Sequence, residues 1–181
     1  MLIRLLISAS LLLATHVAFA QDKPEGEKLA PYYPTPLTIV QKMLKLGELK
    51  PGEQMFDLGS GDGRLVIMAA QKFGAKATGI EIDPDLVKQS RMRIQNLGLQ
   101  DRAKIIQGDL MQQDYSSANL ITIYLLPESI EKVRPLLEKQ LKPGTRVVSH
   151  DFMVNGWTPE KEEFVDDDGE GRSHTLYLYR R

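Results

Sequence analysis

Phe56-Asp57-Leu58-Gly59-Ser60-Gly61-Asp62-Gly63-Arg64 sets three glycines at every second position, behind a strand-like run at Gln54 to Leu58 and ahead of a helical pattern from about Arg64 to Phe73. Glycines so placed let the backbone pass close beneath a ligand and direct free amides toward its negative end. The spacing narrows the ligand. A dinucleotide fold uses G-x-G-x-x-G and a phosphate loop ends in Gly-Lys-Ser/Thr, whereas this loop is G-x-G-x-G without the lysine. Asp57 and Asp62 are poor neighbours for a phosphate and good ones for a cation.

Outward from this loop, strand-like and helix-like segments alternate, the pattern of a parallel sheet with helices on its faces. Upstream, Thr35-Pro36 reads as a helix N-cap with proline at the first position, followed by Leu37, Val40, Met43, Leu44 and Leu46 near helical spacing as far as Gly47. Downstream, Ala77 to Ile82 is a second strand, and a helix follows from Pro84 with Leu86, Val87 and Ile94 inward and Gly98 as its stop. Ala103 to Gln107 is a third strand. Asn119 to Leu125 is apolar almost throughout and suits a strand covered on both faces; Pro127 to Gln140 is helical and Thr145 to His150 is a fifth strand. In the tail, Glu163 to Asp166 and Thr175 to Tyr179 flank the acidic, glycine-rich stretch 166–171, with no helix between them, so they are expected to pair antiparallel. The fold class is α/β: an open, mostly parallel, Rossmann-like twisted sheet of about seven strands, with helices on both faces and a C-terminal antiparallel hairpin.

The chain's 181 residues allow one domain of this kind and little else. Its net charge of −1, with 42% hydrophobic and 26% charged residues, belongs to a soluble globule, and it lacks the basic surplus of a nucleic-acid binder. Cysteine is absent, which excludes thiolate metal sites, disulfides and cysteine nucleophiles. Met1 to Ala20 carries Arg4, the apolar run Leu5 to Leu13 and Ala18-Phe19-Ala20, and reads as a secretory signal peptide cleaved after Ala20, with export to the periplasm. The alternative is an uncleaved N-terminal membrane tether. Residues 21–32 read as a proline-bearing linker, and residues 33–181 as the domain.

Two more elements join the glycine loop. Glu81 ends the second strand, some eighteen residues beyond Gly63, where an acid can accept both hydroxyls of a ribose. Gly108-Asp109 follows the third strand, where a carboxylate can take the exocyclic amine of an adenine. Asp57 to Gly63 resembles motif I of class I S-adenosylmethionine-dependent methyltransferases, and Gly79-Ile80-Glu81-Ile82-Asp83 the acidic strand end that follows it. More narrowly, Tyr33-Pro34-Thr35-Pro36, Tyr124-Leu125-Leu126-Pro127 and Val148-Ser149-His150-Asp151-Phe152 resemble the short protein-lysine methyltransferases of archaea and mitochondria.

That resemblance implies S-adenosylmethionine as cofactor, held by Thr35, Asp57, Gly59, Ser60, Gly61, Gly63, Glu81, Ile82, Asp109 and Leu110. It implies methyl transfer to an amine, foremost a protein lysine, with Tyr124 directing the acceptor and Asp151 drawing a cationic substrate and accepting its proton. The expected partner is a protein with an accessible lysine, with no nucleic acid and no metal. Two alternatives stand beside it: an exported module that binds the nucleoside without turnover, and a small-molecule methyltransferase. His150 reads as a strand-end histidine, Trp157 as core, His174 as lacking ligand-like partners, and the acidic run at Asp166-Asp167-Asp168 as a solvated turn rather than a calcium loop.

Overall fold

The apolar runs become the centre of one sheet. Its strands are β1 (Gln54–Leu58), β2 (Lys76–Glu81), β3 (Ala103–Gln107), β4 (Leu120–Ile123), β5 (Arg146–His150), β6 (Lys161–Val165) and β7 (His174–Arg180). In the computed structural model, which describes residue 26 and residues 28–181, they lie in the order β3-β2-β1-β4-β5-β7-β6. The first five are parallel, and β7 runs antiparallel to both β5 and β6. The helices are α1 (Leu37–Leu46), α2 (Arg64–Phe73), α3 (Pro84–Asn96) and α4 (Pro127–Gln140). The signal-peptide reading of Met1 to Ala20 lies outside the described residues. Among the described residues no helix is long and apolar enough to cross a membrane.

Successive strand side chains point to opposite faces, and both faces are buried. Met55, Leu120, Val148 and Leu178 pack with α1, α2 and α3. Their neighbours Phe56, Ile121, Val147 and Tyr179 pack with Ile130, Val133 and Leu137 of α4. Double coverage is why β4 is apolar at nearly every position instead of alternating.

The chain leaves β1 to build β2 and β3 on one side, then returns to build β4 on the other. At such a reversal the connections diverge and leave a crevice beyond the carboxyl ends of the strands. The glycine loop lies here, at the carboxyl end of β1.

Element ends differ from the sequence reading in instructive places. β4 is four residues long, because Tyr124 and Leu125 turn out of the ladder toward the crevice. Thr35 caps nothing: Pro36 stands at the N-cap of α1 without a side-chain cap, and Thr35 instead lends its carbonyl to Arg64 Nη1 at 2.7 Å. Leu37 is exposed, not core. The cap that does form is Asp83 on α3, accepting from the amides of Asp85 and Leu86.

Candidate functional site

Crevice and loop are built around two close approaches. A Cβ on Gly79 of β2 would collide with the Ser60 side chain, so only glycine lets β2 pass beneath the loop. At Gly61, φ is +53°, and a Cβ there would meet the Tyr32 ring at 2.8 Å. Four of the loop amides, however, are engaged within the fold. Gly59 N and Ser60 N donate to the Ile80 carbonyl, Gly63 N to the Ser60 carbonyl, and Gly61 N to Glu81 Oε2 at 2.7 Å. The expectation of free amides over the turn is therefore corrected at these four positions: the glycines bring the loop close, and buried side chains supply polar groups.

Those groups are Asp57, Ser60 and Glu81. Asp57 Oδ1 accepts from Thr122 Oγ1 at 2.7 Å, while Asp57 Oδ2 and Ser60 Oγ are buried with no partner. Burial pushes the Asp57 carboxyl up to about 7, against the pull of the Thr122 hydroxyl and with help from the charges of Glu81 and Asp62. Such orphaned atoms are rare unless a ligand completes them, and a ligand bearing an ammonium fits Asp57. The Glu81 carboxylate is fixed by three amides, those of Gly61, Ile82 and Asp83. A carboxylate has about four lone-pair sites, so one remains for a ligand hydroxyl.

Asp62 does different work. It takes Arg64 Nε and Nη2 at 2.9 Å each and Arg93 Nη1 at 2.7 Å, which holds it ionised against the cost of its burial. Arg93 also donates to the Asp62 carbonyl. The pair pins the loop to α3, a role the sequence did not disclose because Arg93 stands thirty-one residues away.

Thr35, Asp57, Gly59, Ser60, Gly61, Glu81, Ile82, Leu110 and Tyr124 line the crevice. Gly63 does not; it starts α2 in the left-handed conformation against Ser90. Asp109 stands at the rim beside residue 26, with Oδ1 accepting the Met111 amide. Residues 28–35, without helix or strand, form another wall of the crevice. They are anchored by Lys28 Nζ on Asp83 Oδ2 at 3.2 Å, Ser129 Oγ on the Leu29 carbonyl, and Arg172 on the Tyr33 hydroxyl.

Tyr124 and Leu125, just past β4, line the crevice beside the end of β5. Burial, then the charge of Asp151, raises the Tyr124 hydroxyl to about 12, so it stays protonated at neutral pH. The Tyr124 ring rests on His150 with centroids 3.9 Å apart. Asp151 is outside the crevice lining, one side chain behind Tyr124.

Two further expectations are corrected here. His174 has partners on both ring nitrogens: His150 Nε2 at 2.9 Å and Asp151 Oδ2 at 3.1 Å face Nδ1, and Asp168 Oδ2 lies 3.2 Å from Nε2. Asp168 is buried, not a solvated turn residue, and binds Arg172 Nε and the amides of Glu170 and Arg172. Trp157 is core, edge-on to Tyr179 and donating to Glu138 Oε1 at 2.8 Å.

Comparison with known proteins places this geometry in context. Residues 57–161 match the family model of the ANTKMT methyltransferase domain. The chain is 43% identical over 150 residues to a protein-lysine N-methyltransferase of Saccharolobus islandicus (strain REY15A), covering 82% of this chain and 92% of the relative. It is 32% identical over 129 residues to the adenine nucleotide translocase lysine N-methyltransferase of Mus musculus, covering 71% of this chain and 56% of that longer protein. Among solved structures, an RNA methyltransferase from Salinibacter ruber in complex with S-adenosyl-L-homocysteine superimposes with a TM-score of 0.75 at 46% identity, covering 82% of this chain and 93% of that one.

Proposed function

Because this chain belongs to the family of the ANTKMT methyltransferase domain, we propose that it transfers a methyl group from S-adenosylmethionine to the side-chain amine of a protein lysine. The observation that carries this reading is the pair of orphaned buried oxygens, Asp57 Oδ2 and Ser60 Oγ, beside the amide-fixed Glu81 carboxylate. A cation with a nearby nucleoside completes that set. The names of the Saccharolobus and mouse relatives direct the acceptor toward lysine.

S-adenosylmethionine supplies an electrophilic methyl group on a sulfonium. Asp57 and Ser60 would hold its amino-acid end, Glu81 its ribose, and Ile82 and Leu110 flank the base. Displacement at the methyl is in line, so the protein contributes largely by alignment and exclusion of water. A lysine amine of pKa near 10.4 must lose its proton, which costs roughly 4 to 5 kcal/mol at neutral pH. The protonated Tyr124 hydroxyl accepts an N–H of the incoming amine and turns its lone pair toward the crevice. Asp151, 26% exposed at its side chain and behind Tyr124, adds the negative charge that draws the cationic chain to the mouth and receives its proton by way of the Tyr124 hydroxyl, which hydrogen-bonds to it.

The test is transfer of label from tritiated donor to protein in an envelope extract, with Gly61→Arg as control. Labelled bands that resist nuclease, yield methyl-lysine on hydrolysis and vanish in the variant support the reading. The Salinibacter neighbour, an RNA methyltransferase by name, favours a second reading with RNA as acceptor; nuclease-sensitive label would establish it and sink the first.

Export to the periplasm is part of the proposal and rests on the signal-like Met1 to Ala20. Fusing Met1 to Gln21 to a reporter active only outside the cytoplasm tests it, and an inactive fusion overturns it.

A further inference from the structure

We propose that His150, His174 and Asp151 form a binding site for one divalent transition-metal ion of the zinc class, behind the acceptor floor of the crevice. The three atoms His150 Nε2, His174 Nδ1 and Asp151 Oδ2 face one another at 2.9, 3.1 and 3.3 Å. Nitrogen and oxygen ligands sit about 2.0 to 2.2 Å from zinc, which spaces neighbouring ligands roughly 3 to 3.5 Å apart. Two edges of the triangle, at 3.1 and 3.3 Å, fit that spacing, and the third, at 2.9 Å, is just short of it.

Proton accounting points to a cation at its centre. Asp168 is buried and ion-paired to Arg172, so a neutral His174 places its one proton on Nε2, donated to Asp168. That leaves a lone pair on His174 Nδ1, facing the Asp151 carboxylate at 3.1 Å and the His150 ring at 2.9 Å. A single N–H on His150 Nε2 can answer one of the two and leaves the carboxylate opposed to the His174 lone pair. One divalent ion answers all three, as does a second proton on His174 Nδ1, and metal titration separates the two.

Asp168 to His174 is also the carboxylate–histidine contact that orients a metal-bound imidazole and raises its basicity. Backbone geometry supplies an independent observation. Asp151 is one of two described non-glycine residues with positive φ, at 61°, and this turns its carboxylate back over the histidines, where the Thr175 amide fixes Oδ1 at 3.0 Å. Two imidazoles and one carboxylate select a zinc-, nickel- or copper-class ion over magnesium or calcium, which prefer oxygen alone.

An ion here joins the end of β5 to the start of β7 and takes up the Asp151 charge. Loading is therefore expected to weaken the draw on a cationic acceptor, a readout separate from binding itself. The site does not depend on methyl transfer.

The test uses the untagged full chain, dialysed against chelator, with zinc and cobalt(II) as probes. One equivalent of zinc is expected to bind and raise the melting temperature, and cobalt to give visible d–d absorption. His150→Ala and His174→Ala are expected to lower affinity at least 100-fold, and Asp168→Asn on the order of 10- to 100-fold. No binding, or equal binding in the histidine variants, overturns the site and leaves the triangle holding a proton only. Where those variants fail to fold, X-ray absorption of the zinc-loaded wild type decides: two imidazoles in the shell support the site, and an oxygen-only shell overturns it.

Discussion

Asp57 lines the crevice, with one oxygen answered by Thr122 and one buried and left bare. Its carboxyl titrates near 7 in the folded protein and near 3.8 when unfolded, so the fold keeps a proton that the unfolded chain releases between those values. Stability from this group is therefore greatest below pH 4 and falls as pH rises from about 4 to 7, by on the order of 4 kcal/mol. A cationic ligand reverses the sense, since it binds the ionised form. Cofactor affinity is expected to rise between pH 6 and 7.5, below the α-amino range of roughly 7.7 to 8.0. In Asp57→Asn the profile is expected to flatten and affinity to fall ten-fold or more, while the ligand-free variant is at least as stable as wild type at pH 7.5. Calorimetry across that range checks both, and a wild-type affinity independent of pH contradicts the argument. Tyr124 makes the complementary case. Tyr124→Phe keeps the ring on His150 but loses the hydroxyl, so kcat is expected to fall on the order of 100-fold with little change in cofactor affinity. Single-turnover kinetics separates these; an unchanged kcat removes Tyr124 from the chemistry.

At the scale of elements, α3 shows what local sequence encodes. Asp83 before Pro84 is a cap signal readable without neighbours, and the structure builds that cap with bonds of 3.0 and 3.4 Å to the next amides. Asp83→Ala is expected to cost about 1 kcal/mol, a fall in melting temperature of roughly 2 to 4 °C for a domain of this size; an unchanged melting curve would mean that the Lys28 pair and the cap are both idle. The same locality explains which parts of the fold are legible in the chain. Strands β1 and β3 and helices α2 and α4 follow from periodicity and punctuation within each segment. The site is half legible, because motif I and Glu81 are set by short spacings along one βαβ unit. What escapes is held by distant pairing. Arg93 reaches Asp62 from the far end of α3. His174 meets Asp151 only because β7 returns antiparallel to β5, with Asp151 N on the Thr175 carbonyl at 2.7 Å. No spacing in the chain announces that register. Thr35 misleads for the opposite reason: its local cap signal is real, but Arg64 claims its carbonyl.

For the molecule as a whole, the reversal of strand order opens the crevice, and residues 28–35 wall one side of it. Division of labour between these parts is testable. The core beneath the crevice is closed by Ile39, Val40, Met43 and Leu44 of α1 and by the sheet, all downstream of the wall. The wall itself rests on scattered anchors: an exposed ion pair at Lys28, the Leu29 carbonyl on Ser129, Tyr33 on Arg172, and Leu29 and Ala30 against the α4-side core. Exposed pairs of this sort contribute about 0 to 1 kcal/mol each. A chain beginning at Pro36 is thus expected to melt within a few degrees of the full chain. Its crevice, though, loses Tyr32, Tyr33 and Thr35 over the loop and opens to water, which weakens every polar contact made inside it. Cofactor affinity is expected to fall ten-fold or more, with the loss concentrated in the dissociation rate. Stopped-flow release of bound donor, run beside thermal melts of both chains, checks the pair of outcomes. Equal release rates would make the segment a bystander, and collapse of the shortened chain would make it part of the fold.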